Sequence, residues 1–101
     1  APGGLPLALA RRPSSYLVLR RGQPLLLAER WARSITTPAG VGEADLLAAL
    51  RACLAEIARR ARRRRLAIES WNGAPALGSS AQALLEAAGC YPHAPAMEWM
   101  A

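Results

Sequence analysis

Residues Arg65 to Pro92 place a strand signal, a turn signal and a short helix in a fixed order, and this order constrains the fold more than any other feature of the chain. Leu66-Ala67-Ile68-Glu69-Ser70-Trp71 alternates apolar with small or polar residues at period two, the mark of a half-buried strand. Asn72-Gly73 follows, and both residue types tolerate the positive φ angles of a tight hairpin turn. Ala74-Pro75-Ala76-Leu77 suits a brief edge strand, because proline removes a ladder donor. Ser79 or Ser80 is placed to cap a helix over Ala81 to Ala88, with Gly89 as its stop.

The preceding half supplies the rest of a small sheet. Tyr16 to Arg21 is a strand-like run, Gly22-Gln23-Pro24 is turn material, and Leu25 to Trp31 is a second run, so the pair reads as a hairpin. Arg33 to Thr37 adds a third short run that stops at Pro38. Glu43 and Asp45 then mark a helix start, and Leu46, Leu47, Leu50, Cys53, Leu54 and Ile57 recur at three- and four-residue steps as one apolar stripe. Ala96 to Met100 suits a last strand, whereas residues 1–12 read as an irregular lead-in. The expected class is α+β: a small mixed or antiparallel sheet, built from the N-terminal hairpin plus later strands and packed by two helices.

A chain of 101 residues supports one domain with a single core. The start at Ala1 and the apolar end at Met97 to Ala101 suggest a C-terminal piece of a longer polypeptide. No apolar run reaches the roughly 20 residues of a membrane span, so no membrane partner and a cytoplasmic location are expected. Cys53 and Cys90 stand far apart, which points to two buried thiols in a reducing compartment and not to a disulfide framework.

Catalytic residue types are sparse. His93 is the single histidine, expected in a loop, and the acids are scattered; a small enzyme built on Cys90 and His93 is the weakest of the readings. Neither GxxxxGK[ST] nor GxGxxG occurs, and neither a metal-ligand set nor a cofactor site is expected in this piece. Trp31, Trp71 and Trp99 each end or lie within an apolar run, which favours core packing over stacking on unpaired bases.

The charge is more informative. All 13 basic residues are arginine, the net charge is +6, and six arginines fill seven positions from Arg59 to Arg65. Arg59, Arg60, Arg62, Arg63 and Arg64 are therefore the candidate nucleic-acid contacts, with the guanidiniums spread around a helix end toward successive phosphates. The competing reading is a solvated helix end whose cations complement the helix dipole.

The order of these elements resembles the C-terminal end of the core of Lhr-type helicases, large ATP-dependent superfamily 2 DNA helicases. The resemblance is carried by Leu66 to Pro75, by Ser79-Ser80 and Leu84-Leu85-Glu86-Ala87-Ala88-Gly89, similar to the family's "LLxAAGF". It extends to Leu9 to Pro13, Tyr16 to Leu19 and Gln23 to Arg30, similar to its "RRPGAxVVLVDGxPxLYxERGG" hairpin. The chain departs from the pattern at Trp31-Ala32, where the family has Gly-Gly, and at Gly89-Cys90, where it has Gly-Phe. The resemblance implies a non-catalytic accessory domain whose partners are single-stranded DNA and the remaining domains of a parent helicase. ATP and Mg would act in RecA-like domains upstream, driving 3′-to-5′ translocation. An independent protein-interaction module with no nucleic-acid role is the alternative.

Overall fold

Two sheets and two helices share one hydrophobic core in the computed structural model, which describes residues 8–12 and 14–100. In chain order the strands and helices are β1 (Ala8–Arg12), β2 (Ser15–Arg20), β3 (Gln23–Glu29), β4 (Ser34–Thr36), α1 (Glu43–Ala61), β5 (Arg65–Ile68), β6 (Ser70–Trp71), β7 (Ala74–Pro75), α2 (Gln82–Ala87), β8 (Cys90–His93) and β9 (Ala96–Met100). The larger sheet has the order β1-β2-β3-β4-β6-β7 and is mixed, since β4 and β6 run parallel while its other neighbours are antiparallel. The smaller sheet, β5-β9-β8, is antiparallel. The α+β class and the mixed sheet stand, and the later strands divide between the two sheets.

Several expectations need correction. Ala8–Arg12, assigned to the irregular lead-in, forms β1 and pairs antiparallel with β2; the segment contains neither proline nor glycine, and the open edge of β2 supplies its ladder. Residues 1–7 of that lead-in lie outside the described residues. The run Leu66 to Trp71 is two strands in different sheets, hinged at Glu69, because pairing partners and not periodicity decide sheet membership. The N–H groups of Glu69 and Ser70 both donate to the Arg33 carbonyl, at 2.8 and 3.0 Å, which fixes the crossing. His93 lies in β8 and not in a loop, opposite Ala96 of β9.

The β2–β3 turn is narrower than the Gly22 to Pro24 expectation. Arg21 (φ 53) and Gly22 (φ 74) form it, and Gln23 and Pro24 already belong to β3. Both turn residues have the positive φ that matches strand twist in a two-residue hairpin. The register then shifts between Val18 and Leu19, so Val18 faces Leu26 while Leu19 faces Pro24. Leu25 is the extra residue, and the bulge lets the consecutive Leu25 and Leu26 both be buried.

Helix α1 packs its stripe on β2, β3 and β5, and α2 lies against α1 and β8. Leu50, Cys53, Leu54 and Ile57 are fully buried against Val18, Leu26, Ile35, Leu66, Ile68 and Met97, while Leu46 and Leu47 are partly exposed at the first turns. Arg20 Nη1 pairs with Asp45 Oδ1 at 2.5 Å and ties the start of α1 to β2. Neither expected serine caps α2: Ser79 Oγ accepts from the Ala81 N–H at 3.1 Å and donates to the Ala76 carbonyl at 2.8 Å, closing the preceding turn. Gly89 ends that helix at φ 101, which only glycine adopts freely. No helix among the described residues is long and apolar enough to cross a membrane.

Candidate nucleic-acid interface

The C-terminus of α1 is built by a left-handed reversal. Arg62 adopts φ 54, and both its N–H and that of Arg63 (2.9 Å) donate to the Ala58 carbonyl, satisfying the end of the helix in the manner of a Schellman cap. Glycine is the usual residue at such a position. Arg59 and Arg60 lie on the last turn, while Arg62, Arg63 and Arg64 follow the reversal, and all five side chains are exposed. The structure thus gathers the five candidate arginines at one helix end.

Their local partners differ. Arg59 Nη2 bonds Glu56 Oε2 at 2.9 Å, and Arg60 Nε shares the same carboxylate oxygen. The Glu56 carboxyl is held below its ordinary range, first by the Arg60 hydrogen bond and then by that of Arg59. Two guanidiniums on one carboxylate leave a net single positive charge among the three. The i,i+3 and i,i+4 spacings from Glu56 carried this signal in the sequence. Arg63 lies over the Trp31 ring, 5.8 Å from its centroid, in cation–π geometry. Arg62 and Arg64 have no ion-pair partner among the described residues.

The tryptophans divide in the same way. Trp71 is in the core at 9% exposure, whereas Trp31 and Trp99 are partly buried at its margin. Trp31 sits in a run of three left-handed residues, Arg30 (φ 52), Trp31 (φ 59) and Ala32 (φ 72), with its ring 6.4 Å from that of Tyr16. Trp99 lines a depression of about 410 Å³ whose other walls are Ala55, Ala58, Arg59 and Arg63. Sequence spacing gave no sign of this juxtaposition, because β9 reaches α1 only through the folding of the smaller sheet.

A second polar cluster lies on the outer face of that sheet. Glu98 accepts a hydrogen bond from the Tyr91 hydroxyl at 3.4 Å, lies 2.7 Å from His93 Nδ1, and pairs with Arg65 Nε at 3.5 Å. Its carboxyl is held below the ordinary range, first by the His93 hydrogen bond and then by the charges of His93 and Arg65. Cys90, three residues before His93, falls on the opposite, core side of β8, where burial pushes its thiol up to about 12. The thiol and the imidazole therefore do not form a pair. Burial likewise pushes Cys53 to about 12. Among the described residues no group of three or more His, Cys, Asp or Glu side chains converges as a metal site.

What the α1 terminus can do chemically follows from the guanidinium: a planar, permanently charged fork that binds phosphate or carboxylate through two parallel N–H bonds. Comparison with protein-family models, with curated proteins and with solved structures finds no match.

Proposed function

We propose that the chain is a non-catalytic accessory domain from the C-terminal end of the core of an Lhr-like ATP-dependent DNA helicase, and that the end of α1 contacts the phosphates of single-stranded DNA. The observation that carries this reading is the reversal at Arg62, which presents Arg59, Arg60, Arg62, Arg63 and Arg64 around one helix terminus with their side chains exposed. In this reading ATP and Mg belong to RecA-like domains of the parent, which are also the domain's protein partners, and this piece supports strand binding during translocation.

The backbone supports the resemblance at the positions where the residues depart from it. Trp31 and Ala32 occupy the family's Gly-Gly positions and both have left-handed φ, which glycine adopts without strain. The Gly89 of the "LLxAAGF"-like segment is likewise left-handed.

A second reading, an independent protein-interaction module, draws on Tyr91 (37% exposed) and Met100 (52% exposed) on the outer face of the smaller sheet. Affinity for a single-stranded oligonucleotide separates the two. The helicase-domain reading expects binding that weakens steeply with added salt and falls when Arg59, Arg60, Arg62, Arg63 and Arg64 are changed together to glutamine. Undetectable binding at low salt would favour protein docking. A parental gene without a RecA-like ATPase upstream of Ala1 would remove the helicase assignment.

A further inference from the structure

We infer that the depression between α1 and β9 seats one unstacked base of a single-stranded nucleic acid, with the base on the Trp99 indole and the flanking phosphates on Arg59 and Arg63. The inference rests on the phosphate-contact reading and adds a base seat to it.

The depression is lined by the small residues Ala55 and Ala58, by one aromatic side chain, Trp99, and by the two arginines Arg59 and Arg63. At about 410 Å³ it falls within the range of small-ligand pockets, roughly 300–1,000 Å³. Its apolar interior suits a planar ring, and its two arginines select a ring that carries negative charge nearby. An unpaired nucleotide combines the two, and aromatic side chains beside a basic track are the general means of holding single strands.

The two sides of this seat are held by different devices. Trp99 is fixed from behind: its Nε1 and Cδ1 lie 3.7 Å from where a Cβ on Gly89 would stand, and in the sheet it lies between Leu66 and Cys90. Arg63 is held by Trp31, whose ring it covers at 5.8 Å. Trp31 itself stays in a left-handed conformation unfavourable to a large side chain, anchored by its N–H to the Ser14 carbonyl at 3.1 Å. A bulky aromatic at a strained backbone position has a physical reason here: it holds the guanidinium of an arginine that lines the seat. Arg59 is oriented in turn by Glu56.

The test compares oligo(dT) with an abasic strand of equal length, both fluorescently labelled and titrated with the 101-residue chain at low salt, read by anisotropy. The expected result is oligo(dT) affinity at least about fivefold above that of the abasic strand, the low end of one base stack. Trp99→Leu should bring the ratio to about one. So should Ala55→Glu, an exposed helix position that leaves the core untouched and guards against a misfolded Trp99 variant. Because the added carboxylate weakens both strands alike, the ratio and not the affinity is the readout. Salt-sensitive binding with a ratio near one in the native chain overturns the base seat and leaves the phosphate contacts standing. A ratio unchanged in a folded Ala55→Glu variant also overturns it. Failure of both strands to bind removes the phosphate reading, and the base seat with it.

Discussion

The β6–β7 turn and the turn after β3 both require left-handed backbone, and they meet the requirement with opposite residue choices. Asn72 (φ 53) and Gly73 (φ 83) are the residues with the lowest penalty, and Asn72 also holds β4, accepting the Thr37 N–H at 2.7 Å and donating to Thr37 Oγ1 at 3.0 Å. Arg30, Trp31 and Ala32 include neither Gly nor Asn, although each such residue costs about 1–2 kcal/mol. Arg62 repeats the choice at the end of α1. The first turn serves the fold alone. Two of the costly turns lie beside the arginine cluster, where Trp31 lies under Arg63 and Arg62 redirects the chain, and the third, at Arg21 (φ 53), closes the β2–β3 hairpin. Among the described residues, four of the five left-handed ones that are neither Gly nor Asn, namely Arg30, Trp31, Ala32 and Arg62, flank the candidate site, in keeping with the way natural proteins relax local rules at functional positions.

The largest loss is expected in the core beneath the basic turn. Ile57 is fully buried on the α1 stripe just before the basic turn, and Ile57→Ala should lower unfolding stability by about 2–5 kcal/mol in a guanidinium titration. Gly89→Val places a β-branched residue at φ 101 and should cost more than the roughly 1–2 kcal/mol typical of a left-handed residue; a smaller loss in the same titration would mean the matched glycine is dispensable. The opposite sign is expected at a mismatched position. Arg62→Gly should stabilise by up to about 1 kcal/mol while weakening strand binding slightly, so stability and binding move apart. Tyr16→Phe removes a buried hydroxyl that has no hydrogen-bond partner among the described residues, and its thermal midpoint should be equal to or above that of the native chain.

The smallest effect is on pH. Glu56 and Glu98 both have carboxyl pKa values held below the ordinary 4.5 by their cationic neighbours. A depressed folded-state value contributes stability above the unfolded value and loses it as pH falls through the folded one. Acid titration of the native chain should therefore show a loss below about pH 4.5 that a Glu56→Gln, Glu98→Gln double variant lacks.

Much of this fold was legible because the relevant signals are local. The α1 stripe, the Asn-Gly turn and the last strand each depend on residues within a few positions of one another. The division of Leu66 to Trp71 between two sheets was not legible, since Glu69 looks like any other position in a period-two run and only the Arg33 carbonyl marks it as the crossing point. Strand β8 was hidden by Pro92, which is tolerated because β8 is an edge strand. Of the candidate site, the arginines could be read directly. Their pairing with Trp31, and the approach of Trp99 to Ala55, depend on packing between distant segments and have no counterpart in spacing.

Contact between the end of α1 and phosphate is read out by the salt dependence of single-strand binding. If all five arginines engage, log affinity should fall with log salt at a slope of about −3.5, taking roughly −0.7 per phosphate, and the five-glutamine variant should lose nearly all of that slope. Native and variant chains with the same slope, or a native chain that does not bind at low salt, would contradict it.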